Sequence, residues 1–151
     1  MRGRLTGALP ARRALMVKHR VLVVDDYPDS AETTCTLLTL LGHECRYAVC
    51  GKDALAQTAQ WQPDVAILDI GLPDVSGFEL ARELRKQLAG RPLYLAAVTG
   101  WGQREDRDKA LAAGFDQHIL KPADRATLAA IMELADRRGT APAAPGGPER
   151  P

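Results

Sequence analysis

Between Arg20 and Arg138 the chain alternates apolar runs of strand length with segments whose apolar residues recur at helical spacing. A strand covered on both faces reads as a near-continuous apolar run, whereas a helix packed on one side shows apolar residues every three to four positions. Val21 to Val24, Val65 to Leu68 and Leu93 to Val98 are runs of the first kind and predict the central strands. Cys45 to Val49, interrupted by Arg46 and Tyr47, and the short His118 to Leu120 predict flanking or edge strands. Strands and helices in strict alternation, five of each, predict an α/β fold built from repeated βα units on a doubly wound, five-stranded parallel sheet.

Punctuation places the helices. Asp29, with Glu32 three residues on, predicts a capped first helix whose inward stripe is Thr34, Leu37, Leu38 and Leu41 and whose end is Gly42. Lys52 to Gln60 predicts a second helix, stopped before Pro63. Ser76 and Glu79 form a capping box that opens a third through Leu80, Leu84 and Leu88, closed by Gly90 and Pro92. Gln103 to Ala113, followed by Gly114, is the fourth. Asp124 to Arg138 is the fifth, with Arg137 and Arg138 at the negative end of its dipole.

Length and charge narrow the possibilities. The 151 residues suit one ordinary domain, expected over 19–138, between a disordered basic lead-in over 1–18 and a disordered Pro, Gly and Ala-rich tail over 139–151. Met16 is an alternative translation start. A net charge of +1 supplies no field for gathering nucleic acid, and no apolar run approaches a membrane span, so neither a nucleic-acid nor a membrane partner is expected. Cys35, Cys45 and Cys50 show neither metal-ligand spacing nor a disulfide framework, so reduced thiols in a cytoplasmic protein are expected.

The chemistry gathers where the strands end. In an open parallel sheet the ligand crevice lies outside the carboxyl ends of the strands. There stand Asp25 and Asp26 after the first strand, Asp69 after the third, Thr99 after the fourth, and Lys121 before Pro122 after the fifth. Taken singly, each has an ordinary reading: the aspartates as turn or cap residues, Lys121 as a surface ion-pair partner, Thr99 as a strand-end hydroxyl. Three carboxylates in one crevice repel unless a cation sits among them, and a hard divalent ion such as Mg2+ resolves the conflict. Asp26, Asp69 and the backbone carbonyl of Gly71 are the candidate direct ligands, with Asp25 acting through water. An ionised carboxylate is also a nucleophile towards phosphorus, and Asp69 is the candidate phosphoacceptor. Lys121 would neutralise phosphoryl oxygens, and Thr99 would hydrogen-bond one of them, drawing in the loop Gly100, Trp101 and Gly102.

VLVVDD ending at Asp26, LDIGLPDVSG containing Asp69, VTG containing Thr99 and LKP containing Lys121, in that order and each after a strand, resemble the receiver domain of two-component response regulators. The resemblance covers roughly Arg20 to Arg138 and implies the flavodoxin-like strand order 2-1-3-4-5. It further implies a phosphohistidine donor, either a histidine kinase or a histidine phosphotransfer protein, and signalling by contact with a downstream protein through the fourth helix, fifth strand and fifth helix. The chain would be a monomer or weak dimer and a switch rather than an enzyme. His118 falls where the family commonly carries an aromatic switch residue, and in this it resembles receivers of hybrid histidine kinases. Gly71 and Trp101 fall where side chains tune phosphoryl lifetime, and neither orients water, so slow self-dephosphorylation is expected. Magnesium-dependent aspartyl phosphatases are one rival, but they place a second acid two residues after the nucleophile, where this chain has Gly71. A pseudo-receiver that never takes phosphate is the other, and such proteins usually lack one of these residues.

Overall fold

The structure is a computed structural model that describes residues 17–100 and 104–140, the side chains of 104–106 and 139–140 excepted. The expected lead-in up to Met16, the loop residues Trp101 and Gly102, and the tail over 141–151 lie outside the described residues.

Five strands, β1 (Arg20–Val24), β2 (Glu44–Ala48), β3 (Val65–Asp69), β4 (Tyr94–Thr99) and β5 (Gln117–Leu120), alternate with five helices among the described residues. These are α1 (Pro28–Leu40), α2 (Gly51–Trp61), α3 (Gly77–Gln87), α4 (Arg104–Ala112) and α5 (Arg125–Thr140). Every strand pair is parallel and the order is β2-β1-β3-β4-β5. All of β4 and the apolar residues of β1 and β3 are buried, as their continuous apolar runs require. The edge strands β2 and β5 are mostly half-buried or exposed.

Side-chain alternation along the strands makes two cores. Leu22, Val24, Leu68, Leu95 and Ala97 pack with Ala54 and Trp61 of α2, Leu80 and Leu84 of α3, and Ala110 of α4. Val21, Val23, Ile67, Ala96 and Val98 pack on the other face with Ala31, Cys35 and Leu38 of α1 and Leu128, Ile131 and Met132 of α5. A fully buried side chain such as Leu80 or Ile131 contributes about 1.5–3 kcal/mol relative to leaving it exposed.

The Ser76 hydroxyl accepts from the Glu79 N–H at 3.1 Å, as the capping signal predicted. Gly42 ends α1 at φ +100°, a conformation open to glycine without strain.

Three expectations need correction. Asp29 does not cap α1: Tyr27 is the N-cap, with no side-chain cap bond, Pro28 opens the helix, and Asp29 sits exposed in the first turn. Of the expected inward stripe, Leu38 is buried and Leu37 and Leu41 pack half-buried against the core, but Thr34 does not join it; Ala31 and Cys35 complete the buried face instead. The three cysteines are not all thiols. Cys35 of α1 and Cys45 of the neighbouring β2 form a disulfide with Cα atoms 5.5 Å apart, leaving Cys50 free. Their approach depends on how the helix packs against the edge strand, which spacing in the sequence does not reveal.

At the amino ends of the strands, buried His19 ties three elements together. Its Nδ1 lies 3.3 Å from Asp64 Oδ1 and its Nε2 lies 2.6 Å from Asp136 Oδ1 on α5. Its backbone N–H donates to Nδ1 of His43 at 3.1 Å, so a neutral His43 ring carries its proton on Nε2. The hydrogen bond from His19 to the Asp64 carboxylate raises the His19 pKa against the opposing effect of burial, and Asp136 adds to the rise. Burial, followed by the charge of His19, lowers that of His43.

Candidate functional site

At the opposite end, the sheet delivers the expected residues to one crevice. Asp25 follows β1 and is buried, fixed by donation of its N–H to the Ala48 carbonyl at 3.1 Å. Its Oδ1 accepts from the Tyr27 N–H at 3.0 Å. Its Oδ2 accepts from the Ser30 hydroxyl at 2.8 Å and from Lys121 Nζ at 3.3 Å. Asp69, the last residue of β3, accepts from the Gly71 N–H on Oδ1 and from Lys121 Nζ on Oδ2, both at 3.1 Å. Asp26 is exposed, and among the described residues no hydrogen bond or ion pair engages its carboxylate.

Asp25, Asp26 and Asp69 each offer an oxygen within 4.8 Å of the others. The Lys121 ammonium bridges two of them; burial opposes its charge, but the hydrogen bond and charge of Asp69, then those of Asp25, raise its pKa above the usual value. Among the described residues, one cation against three carboxylates leaves the crevice in negative excess, and the exposed Asp26 opens it to solvent. This all-oxygen donor set, without nitrogen or sulfur, fits a hard divalent ion that retains several waters. A cavity of about 360 Å³ adjoins it, lined by Ser30, Thr33, Leu37, Asp69, Lys121 and Pro122.

Thr99 is buried at the end of β4, and its carbonyl accepts from the Lys121 N–H at 2.8 Å. His118 is half-buried in β5, paired in register with Ala97, as Leu120 is with Thr99. Strand alternation therefore places His118 and Thr99 on the same face of neighbouring strands. Gly71 stands exposed in the turn after Asp69.

A family model of the response regulator receiver domain matches residues 21–133. The chain belongs to that family. As a receiver domain it is a regulatory component of two-component signalling, in a family that works with histidine kinases and downstream effectors and whose members bind magnesium at an acidic pocket. The chain is 38% identical over 123 residues to the transcriptional regulatory protein KdpE of Mycobacterium tuberculosis, covering 82% of this chain and 53% of that protein. It thus spans about half of that relative's length. Among solved structures, the CheY-like receiver domain of Methanospirillum hungatei superposes with a TM-score of 0.74 at 31% identity, covering 82% of this chain and 98% of the other. The CheY-like receiver of Methylobacillus flagellatus gives 0.70 at 32% identity, covering 79% and 99%. No helix among the described residues of this receiver is long and apolar enough to cross a membrane.

Residues that the sequence did not single out complete the receiver's site. Ser30 holds Asp25 from the first turn of α1. Gly77 lets α3 start against the backbone of Asp69: its N–H donates to the Ile70 carbonyl at 2.8 Å, and an added Cβ would lie 2.7 Å from the Asp69 carbonyl oxygen. A glycine at the first position of a helix already capped by Ser76 is the one local signal for this, since the cap itself does not require it. Asp74 accepts from the N–H groups of Gly51 and Lys52, each at 2.9 Å, tying the loop after Asp69 to the start of α2.

Proposed function

We propose that this receiver is a phosphoacceptor switch whose Asp69 takes a phosphoryl group from a phosphohistidine on a histidine kinase or histidine phosphotransfer protein. The observation that carries the reading is Lys121 Nζ, 3.1 Å from Asp69 and 3.3 Å from Asp25 in the three-carboxylate crevice. A carboxylate oxygen of Asp69 attacks phosphorus, the phosphorus–nitrogen bond of the donor breaks, and its electron pair returns to the imidazole. An ionised carboxylate needs no general base. Lys121 neutralises charge on the transferring oxygens, and Thr99 is the hydroxyl that turns to a phosphoryl oxygen afterwards, with His118 beside it as the coupled switch residue. Asp26, Asp69 and the Gly71 carbonyl would hold magnesium directly and Asp25 through water. The bound ion supplies electrostatic neutralisation of carboxylate and phosphoryl oxygens. The signal leaves by contact of α4, β5 and α5 with a downstream protein.

Intact-mass measurement with magnesium and acetyl phosphate tests this. The expected result is one phosphoryl adduct that requires magnesium and is absent from Asp69→Asn. A folded protein that forms no adduct and does not respond to beryllium fluoride would instead be a phosphorylation-independent binding module.

A further inference from the structure

The two aspartates at the end of β1 are held differently. Asp26 is exposed and unengaged among the described residues, whereas the Asp25 carboxylate already receives three donors: the Tyr27 N–H, the Ser30 hydroxyl and the Lys121 ammonium. A carboxylate has about four lone-pair sites, so Asp25 retains room for one further donor, which suits a water bound to a metal better than the metal itself. Two of the three donors have other ties. The Tyr27 N–H belongs to the backbone turn into α1, and Lys121 is shared with Asp69. Among the described residues the Ser30 hydroxyl donates to Asp25 alone, and it reaches Oδ2 at 2.8 Å against 3.3 Å for Lys121.

We propose that Ser30 is a positioning residue for the magnesium site, its hydroxyl holding Asp25 in the outer coordination sphere and limiting its pull on Lys121. This rests on the phosphoacceptor reading above. Without the hydroxyl, Asp25 Oδ2 has only Lys121 to accept from, and the ammonium is drawn from Asp69 towards Asp25. The water-mediated arm of the metal site then loses its fixed orientation. Groups that orient metal ligands from behind commonly change affinity by ten- to a hundred-fold when removed.

Magnesium titration by calorimetry at fixed pH, on the whole chain, reads this without phosphorylation. Ser30→Ala, a sound helix substitution, is expected to weaken magnesium binding by about tenfold. Ser30→Thr keeps the hydroxyl, has the adjoining cavity for its methyl group, and is expected to bind within about twofold of wild type. Wild-type affinity in a folded Ser30→Ala overturns the proposal, as does equal weakening in both variants, which would mark a packing role. Wild-type protein that binds no magnesium overturns the phosphoacceptor reading itself. Magnesium binding and phosphorylation in wild type, with Ser30→Ala unchanged, overturns the role of Ser30 alone.

Discussion

A Cβ added at Gly77 would lie 2.7 Å from the carbonyl oxygen of Asp69 and 2.7 Å from Cα of Ile70, so the first residue of α3 rests directly on the backbone that carries the proposed phosphoacceptor. The atoms in the way are main chain, which cannot rotate aside as a flexible side chain would. A side chain at this position would press on the backbone of Asp69 and Ile70.

Gly77→Ala is accordingly expected to destabilise the fold by about 1–3 kcal/mol, the range for overpacking in a close-packed site. A lowered urea midpoint with an unchanged slope checks this. Phosphorylation by acetyl phosphate should slow in the same variant under conditions where it remains folded.

Lys121→Met removes the cation that pairs with both Asp25 and Asp69 while leaving Asp26 untouched. Phosphorylation should slow by about a hundredfold, the usual cost of losing one preorganised charge-stabilising donor. Magnesium binding should persist. Loss of the two together would show that Lys121 holds the metal site's shape rather than the transferring charge.

His19 gives the fold a pH dependence. Its folded-state pKa is raised above 6.5 by Asp64 and Asp136, so the folded chain holds the proton more tightly than the unfolded chain. The resulting stabilisation is complete below 6.5 and is lost as pH rises through the folded value. His43, lowered by burial and by His19, acts in the other direction: its contribution is present above 6.5 and is lost as pH falls through its folded value. Urea midpoints measured from pH 6.5 upward should therefore decline in wild type and much less in His19→Gln. Parallel declines in the two proteins would remove the assignment to His19.

Asp74 is held below its ordinary value of 3.8 by the N–H groups of Gly51 and Lys52. Its tie to α2 is present above that value and is lost as pH falls through the lower, folded value. Hydrogen exchange at the amides of Gly51 and Lys52 should accelerate in Asp74→Ala at neutral pH. Unchanged exchange would mean that the helix start protects itself.

The continuous apolar runs of β1, β3 and β4 could be read from the sequence because burial on both faces leaves no choice of residue class. The Ser76 cap was legible for a similar reason: its hydrogen bond spans three residues. The start of α1 was not. Asp29 and Glu32 carry the pattern of a cap, but Pro28 opens the helix and the Asp25 carboxylate already engages the Tyr27 N–H, moving the start back. The pairing of Cys35 with Cys45 was equally hidden, since it arises from packing between a helix and an edge strand.

The sequence by itself determined the order of elements, the central strands and the residue types at the strand ends, because burial and turn chemistry act on neighbouring positions. Only the tertiary structure decided that Lys121 lies between Asp25 and Asp69, that Ser30 holds one aspartate while its neighbour Asp26 stays open, and that α3 rests on the Asp69 backbone. The first joins residues from three βα units, whose approach is set by sheet register; the other two lie within single βα units and are set by how each helix packs back on its strand end.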